Sequence, residues 1–560
     1  MTATLQSTDS SREADVRWWW DAVVYQVYVR SFSDANGDGI GDLTGVRARL
    51  SYLAELGVDA LWFNPWYPSP QADAGYDIAD YRAVDPNFGT LAEAEQLIAE
   101  ARSLGIRTIV DIVPNHVSSE HPWFREALLA GPGSPERERF WFRPGRGTYG
   151  ERPPNDWQSI FGGPAWTRVS DGEWYLHLFA PEQPDVNWSH SEVWTEHEDV
   201  LRFWFDRGAA GFRIDSAALL DKDPELAEVR EDAPHPFMDR DAIHDVYRRW
   251  RAIAESYDEP RVLVGEVWLA DAERLARYLR RDELHTAFNF DFLSCPWDAG
   301  RLRASIDSAL AAHAPVDAPT TWVLSNHDVT RPVTRYGRAD TSFSFESKRD
   351  GIPPTDLVRG TRRARAAALL AMALPGSLYV YQGEELGLPE VENIPDARRR
   401  DPIWHRSNGA DPGRDGCRTP LPWSGDEPPY GFSPDGGAAS WLGQPDGWGA
   451  LTVTAQSDDP RSMLALYRDG LRVRREAPWG DSATIGWLSS TESVLAFARG
   501  DGFVCVVNFG PEPIQLLPGH DVLIASDNLE GGAVPQDTTV WLRPDATATI
   551  GEGQRKGVGL

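Results

Sequence analysis

The sequence predicts an α/β fold built on a (β/α)8 TIM barrel, with a small inserted domain after the third strand and a C-terminal antiparallel β domain. Three observations carry this expectation. From Trp18 onward, eight short β-rich runs alternate with amphipathic helical stretches. The gap between the third and fourth runs is far longer than a barrel loop needs, and beyond residue 479 helical spacing gives way to short β-runs. At 560 residues the chain has length for two or three domains, one of them large.

In order, the expected strands are VVYQVYV, DALWFN, RTIVDIV, GFRID, RVLVGEV, TAFNFDF, TWVLSNHD and SLYVYQG. Helical stretches such as LTGVRARLSYLAELG, LAEAEQLIAEARSLG, DAIHDVYRRWRAIAESY and RRARAAALLAMAL carry apolar residues three and four apart. Gly57 and Gly105 stand where a helix end needs a left-handed residue. Residues 116 to 190, rich in Pro, Gly and Trp, are assigned to the inserted subdomain, which leaves 18 to 115 and 191 to 479 for the barrel. Irregular segments around 337 to 360 and 386 to 450 follow the last two strands and are expected over the barrel's C-terminal mouth. Runs such as SVLAFAR, FVCVVNF and TTVWLRP place a β-sandwich at 480 to 560, and the polar residues 1 to 17 are expected to be disordered.

The formal net charge of −30 sets up a field that repels nucleic acid and acidic substrates and tolerates a neutral ligand, without deciding between monomer and homodimer. The cysteines, Cys295, Cys417 and Cys505, are odd in number and far apart, with neither zinc nor redox spacing. The N-terminus lacks the apolar run of a signal peptide, and no stretch reaches the roughly 18 apolar residues of a membrane span. A cytoplasmic protein with no membrane partner is expected.

The chemistry concentrates in GFRIDSA, residues 211 to 217. Arg213 and Asp215 are two apart, so on a strand they share a face, and the guanidinium is expected to lower the Asp215 pKa and keep it as an anion. Polar residues end the other strands in the same way: Asp111, Asn115 and His116 the third, Glu266 the fifth, and Asn326, His327 and Asp328 the seventh. In a barrel such residues face one mouth, so Asp215, Glu266 and Asp328 converge. Crowded carboxylates suit glycoside hydrolysis, in which one ionised group attacks the anomeric carbon and a protonated one donates to the leaving oxygen. Asp215 is the better anion, and Glu266, longer and without an adjacent Arg in sequence, the better proton donor. A metal site at these carboxylates competes with that reading, but no HxH or HExxH spacing supports it.

A stronger metal signal is DANGDGIGD, in which Asp34, Asn36, Asp38 and Asp42, with Ile40 completing the set, alternate oxygen donors around glycines as an EF-hand loop begins. Gly45 stands where the twelfth-position Glu would be, and no pair of flanking helices is evident. A single structural Ca2+ is expected, with Mg2+ as the alternative; the bland counterpart is an Asp/Asn/Gly turn without an ion.

The succession GDGIGDLTG, DIVPNH, QPDVNW, GFRIDSA, GEVW, SNHD and GSLYVYQGEE resembles glycoside hydrolase family 13, the α-amylase superfamily, over nearly the whole chain. QPDVNW is similar to the QPDLNW of the α-glucosidase and oligo-1,6-glucosidase branch. That resemblance implies an exo-acting enzyme on short oligosaccharides. It makes Asp215 the nucleophile, Glu266 the acid/base and Asp328 the stabiliser, with His116, Arg213 and His327 binding the same glucosyl unit. It also puts Tyr76 in a stacking role and Asp73 at the closed end of the pocket, paired with Arg414 or, as the alternative, Arg418. Phe161, Phe179 and Gln183 match further pocket positions. Ser216 departs from the Val of enzymes preferring α-1,6 links and from the Thr or Ala of those preferring α-1,4, and being small and polar it leans to α-1,4. Transglucosylation, a trehalose- or sucrose-acting relative, an oligo-1,6-glucosidase and, more remotely, a non-catalytic barrel scaffold are the alternatives.

Overall fold

The computed structural model describes residues 17–345, 354–477, 483–500, 502–516, 519–529 and 531–544. Residues 1 to 16 of the expected disordered N-terminus lie outside the described residues, as do 346 to 353 of the seventh loop.

All eight expected strands form one parallel sheet. They are β1 (Val23–Val27), β2 (Ala60–Phe63), β3 (Arg107–Ile112), then, after the insertion's β4 (Phe142–Pro144), β5 (Trp166–Arg168) and β6 (Glu173–Leu176), β7 (Gly211–Ile214), β8 (Val262–Gly265), β9 (Thr286–Ala287), β10 (Thr321–Val323) and β11 (Ser377–Tyr381). The order β10-β11-β1-β2-β3-β7-β8-β9 is that of a barrel nearly closed on itself. Its two edges, β9 and β10, meet through the hydroxyls of Thr286 and Thr321.

Alternation along these strands sorts the side chains. Val24, Trp62, Ile109, Val264, Val323 and Tyr379 fill the barrel interior, while Tyr25, Leu61, Val110, Phe212, Leu263 and Leu378 face the surrounding helices. The inward parity continues past the last apolar layer to Gln26, Asn64, Asp111, Arg213, Asp215 and Glu266. The register sets Asp111 beside Arg213 and Arg213 beside Val264, so the polar layer is a consequence of strand pairing.

The helices follow the apolar spacing, with corrections at their ends. The first expected helix is two, α1 (Leu43–Ala48) and α2 (Leu50–Leu56), broken at Arg49, whose backbone leaves the helical region at φ −109°, ψ 6°. Gly57 closes α2 in the left-handed region at φ 90°. α3 (Leu91–Ser103) opens on a reciprocal cap between Thr90 and Glu93. The outer layer continues with α4 (Ser191–Asp206), α5 (Ile243–Glu255), α6 (Ala299–His313), α7 (Leu357–Ala373) and α8 (Met463–Glu476). The sixth strand is shorter than TAFNFDF suggests: the Asn289 side chain accepts the Phe292 amide and starts a helical turn at Phe290.

Within residues 116 to 190, β4, β6 and β5 make a three-stranded antiparallel sheet joined to the barrel through the His116–Asp185 bridge. After α8, strands β12 (Gly486–Trp487), β13 (Val494–Arg499), β14 (Phe503–Asn508), β15 (Ile514–Gln515), β16 (His520–Ala525), β17 (Ala533–Val534) and β18 (Thr538–Pro544) follow. Five of them form the antiparallel sheet β12-β13-β14-β18-β16, and among the described residues the second layer is the two-stranded β15-β17 ribbon rather than a full sandwich sheet. One face of the large sheet, with Leu495, Phe497, Cys505 and Trp541, joins the main core over the helices; Trp541 Nε1 donates to the Leu369 carbonyl of α7. The other face, with Ala496, Val506 and Val540, packs on the ribbon.

Just past β11, Glu384 is buried and accepts from two hydroxyls, Ser325 Oγ at 2.5 Å and Tyr467 OH at 2.8 Å. Burial pushes its carboxyl up to about 7. The folded protein therefore holds this proton between about pH 4.5 and 7 while the unfolded chain does not, so the contribution is complete at lower pH and is lost as pH rises through 7. Glu384→Gln should gain on the wild type as pH rises from 5 to 9, by about 3 kcal/mol of relative stability. Tm measured across that range checks it; a difference that does not vary with pH contradicts it.

Candidate active site

Arg213 is 1% exposed and binds three carboxylates: Nη1 lies 2.9 Å from Asp111 Oδ1 and 2.7 Å from Asp215 Oδ1, and Nη2 lies 2.8 Å from Glu266 Oε2. Two expectations change here. Glu266 also meets an arginine, the same Arg213, because β7 and β8 are neighbours and the guanidinium spans them. Asp215 is not held low: burial, then the adjacent Glu266 carboxylate, push its carboxyl well above the usual range, against the pull of Arg213. One guanidinium is divided among three acids, so its pull on Asp215 does not offset burial and the neighbouring carboxylate.

Ser216 ties the pair together. Its backbone lies in the left-handed region at φ 47°, rare for a residue with a side chain. That turn sends its amide to Glu266 Oε2 at 2.9 Å and its hydroxyl back to Asp215 Oδ2 at 2.9 Å. With Arg213 on Oδ1 and Ser216 on Oδ2, both Asp215 oxygens accept hydrogen bonds.

Behind the pair runs a buried relay. Gln26 Nε2 donates to Asn64 Oδ1 at 2.9 Å and faces His327 Nδ1 at 2.7 Å. Asn64 Nδ2 donates to the Tyr76 hydroxyl, which donates to Asp111 Oδ2 at 2.9 Å. A donor on Nδ1 leaves the His327 proton on Nε2, 3.2 Å from Asp328 Oδ2. Burial holds His327 well below its ordinary range and pushes His116 down to about 3, so both rings are neutral donors and acceptors. The Tyr76 and His327 rings are parallel, 5.2 Å between centroids and 4° apart in plane. Burial also drives the Asp111 carboxyl up to about 6 against the pull of Arg213.

The opposite wall is a second cationic knot. Arg414 Nη2 donates to Asp73 Oδ1 at 2.6 Å, Nη1 to Asp328 Oδ1 at 3.1 Å and Nε to Asp401 Oδ2 at 2.6 Å. Arg418 is not the partner of Asp73; its Nη2 donates to Asp328 Oδ1 at 2.8 Å. Burial works against ionisation of Asp401, but Arg414 and Arg418 outweigh it and hold that carboxyl at about 2. Burial raises Asp73, with Arg414 opposing.

These groups enclose a cavity of about 520 Å³, lined by Asp73, Tyr76, His116, Phe161, Phe179, Asp215, Ser216, Glu266, His327, Asp328 and Arg414 among the expected residues. Gln183 and Arg213 stand behind the surface. Gln183 Nε2 is 3.1 Å from Asp73 and 3.0 Å from His116 Nε2. Lining or supporting residues that carried no sequence expectation include Trp268, Phe345 and Asp401. Asp401 sits in an Arg-rich loop where an acid reads as a surface ion pair, and Trp268 follows Glu266 by two residues, a spacing that could have marked it as sharing the same face.

The chain matches the α-amylase catalytic-domain model over residues 26–481. It belongs to the α-amylase family of glycoside hydrolases. Among curated members, it is 35% identical to a probable alpha-glucosidase of Rhizobium meliloti (strain 1021), covering 90% of this chain and 92% of that one. It is 36% identical to the trehalose-6-phosphate hydrolase of Escherichia coli (strain K12), covering 94% and 97%. Solved α-amylase-family structures similar to it include an alpha-glucosyl transfer enzyme, at TM-score 0.80 and 33% identity over 94% of this chain and 99% of that one. A trehalulose synthase superposes at TM-score 0.80 and 29% identity, over 94% and 100%.

The loop between β1 and α1 is ordered by its own backbone. Asp34 accepts the amides of Gly37 and Gly39, and Asp42, which caps α1, accepts those of Gly45, Ala35 and Asn36. Asp38 accepts the Ile40 amide and Asn36 the Asp38 amide. A Cβ at Gly45 would sit 2.0 Å from the Ser33 carbonyl oxygen, which explains a glycine there. Among the described residues no group of three or more His, Cys, Asp or Glu side chains is placed to hold a metal.

Ser216→Ala removes a hydrogen bond to a carboxylate while keeping the backbone turn. It should lower kcat/KM on an α-glucoside about tenfold or more with little change in Tm; unchanged kinetics would show that the hydroxyl has no part in the reaction.

Proposed function

We propose that the protein is a retaining, exo-acting α-glucosidase that releases terminal α-D-glucose from short α-glucosides. The observation that supports it most directly is the Asp73–Arg414 pair, 2.6 Å apart beside the carboxylates, which closes one end of the cavity to a longer chain. An occupant with one sugar ring against that wall presents its anomeric carbon to Asp215 and Glu266.

In the first step an Asp215 oxygen forms a bond to C1 as the glycosidic C1–O bond breaks; the leaving oxygen takes the Glu266 proton and departs as an alcohol. In the second, Glu266 takes a proton from water as that water attacks C1 and Asp215 leaves. Asp328, held by His327, Arg414 and Arg418, binds sugar hydroxyls. The carboxylates Asp73, Asp111, Asp215, Glu266, Asp328 and Asp401 outnumber Arg213, Arg414 and Arg418, and that negative balance suits a transition state with positive charge on the ring.

The small hydroxyl of Ser216 beside Asp215 favours α-1,4 links of the maltose type, with α-1,6 links as the alternative. Transfer to a sugar hydroxyl in place of water is the second reading, favoured by the alpha-glucosyl transfer and trehalulose synthase structures that the chain resembles. None of the described helices is long and apolar enough to cross a membrane, and buried Cys295, Cys417 and Cys505 form no disulfide, in keeping with a reducing, cytoplasmic location. With maltotetraose, glucose and maltotriose should be the only first-formed products. Maltose among them would overturn exo action, and new, longer or rearranged oligosaccharides would favour transfer.

For the β1–α1 loop we propose one structural Ca2+, with Mg2+ as the alternative, on Asp34, Asn36, Asp38, the Ile40 carbonyl and Asp42. The set is all-oxygen, the donor chemistry a hard cation takes, and binding one would require the carboxylates of Asp34, Asp38 and Asp42 to turn toward one point from the amides they now accept. Chelation should lower Tm and Ca2+ restore it, while kcat at 25 °C holds; a Tm indifferent to both removes the ion.

A further inference from the structure

Glu266 must offer one oxygen to the leaving group, and its neighbours select which. Oε2 is held by the Ser216 amide at 2.9 Å and by Arg213 Nη2 at 2.8 Å, two donors that fill its in-plane positions. Among the described residues Oε1 accepts one hydrogen bond, from the indole Nε1 of Trp268 at 3.0 Å. That donor takes one in-plane position of Oε1 and leaves the other for the acidic proton. The indole is itself fixed, stacked on Phe290 with centroids 3.6 Å apart and planes 4° apart, with Phe345 edge-on at 4.9 Å. Trp268 and Glu266 line the same cavity.

We propose that Trp268 is a positioning residue for the acid/base: its N–H aims the Oε1 proton of Glu266 into the cavity and holds that oxygen once the proton has left. The inference rests on Glu266 being the proton donor. As the C1–O bond breaks, its electron pair passes to the glycosidic oxygen, which takes the Oε1 proton, and Glu266 becomes a carboxylate. The indole hydrogen bond then becomes charge-assisted, so it is stronger in the transition state than in the ground state and accelerates the step. When water attacks, Oε1 takes a proton back and the bond returns to its neutral strength.

A tryptophan acting only as a wall would affect all substrates alike. A tryptophan that positions the acid matters only where the leaving group needs a proton. The test compares kcat/KM, which reports the first step, for maltose and for 4-nitrophenyl α-glucoside, whose phenolate leaves with little protonation. Trp268→Phe keeps the stack on Phe290 and removes the N–H; Tm and circular dichroism check that it folds. The expected result is a loss of about ten- to a hundredfold on maltose and under about threefold on the aryl glucoside. Equal losses on both, or no loss on either, overturn the proposal. Glu266→Gln run beside it tests the reading underneath: it should show the same selectivity, more strongly. A Glu266→Gln that spares maltose, or depresses both substrates equally, removes the acid role itself and with it the proposal.

Discussion

The site depends on one buried guanidinium. Arg213 is the only cation touching Asp111, Asp215 and Glu266 among the described contacts, and without it those buried carboxylates would face one another unpaired at the barrel mouth. Like charges at such distances repel by several kcal/mol even at an effective dielectric near 20. Sharing one positive charge leaves the set short of neutral, and burial with the adjacent Glu266 carboxylate pushes the Asp215 carboxyl up. The retaining mechanism proposed for this site needs one carboxyl to donate and one carboxylate to attack. Arg213 holds its position because strand pairing sets it beside Asp111 and Val264, below a ring of inward apolar side chains.

The barrel and its polar layer were legible in the sequence because both follow a period of two. Trp62 then Asn64, Ile109 then Asp111, and Val264 then Glu266 each switch from apolar to polar without changing face, and each switch marks the mouth. Where local chemistry overrides that period, sequence reading overran: Asn289 caps a helical turn inside TAFNFDF, and Arg49 breaks what the apolar spacing shows as one helix. The sharing of Arg213 was hidden for another reason. Proximity in sequence pointed to Asp215, whereas Glu266 lies 53 residues away and meets the guanidinium only across the ladder. Asp401 and the division of labour between Arg414 and Arg418 depend on how a long loop folds back, and no periodicity reports that.

The two sides of the cavity differ in kind. Asp73, Arg414, Asp401 and Asp328 form a rigid, fully paired wall suited to reading sugar hydroxyls at a fixed spacing. On the side of Glu266, Trp268, Phe290 and Phe345 offer ring faces and a single N–H. In the proposed α-glucosidase reading, the polar end would read the glucosyl unit and the apolar aromatic side would meet the leaving group or acceptor. The same scaffold thus accommodates relatives with hydrolytic and with transfer activities.

The central claim is that Asp215 and Glu266 act as one nucleophile and one acid/base on an α-glucoside. A proton NMR time course of maltose with the purified protein, read before mutarotation, tests it most directly. The account predicts that the glucose released from the non-reducing end forms first as the α-anomer; β-glucose as the first-formed anomer would contradict it, because water would then have displaced the leaving group directly and Asp215 would never have been bonded to the sugar.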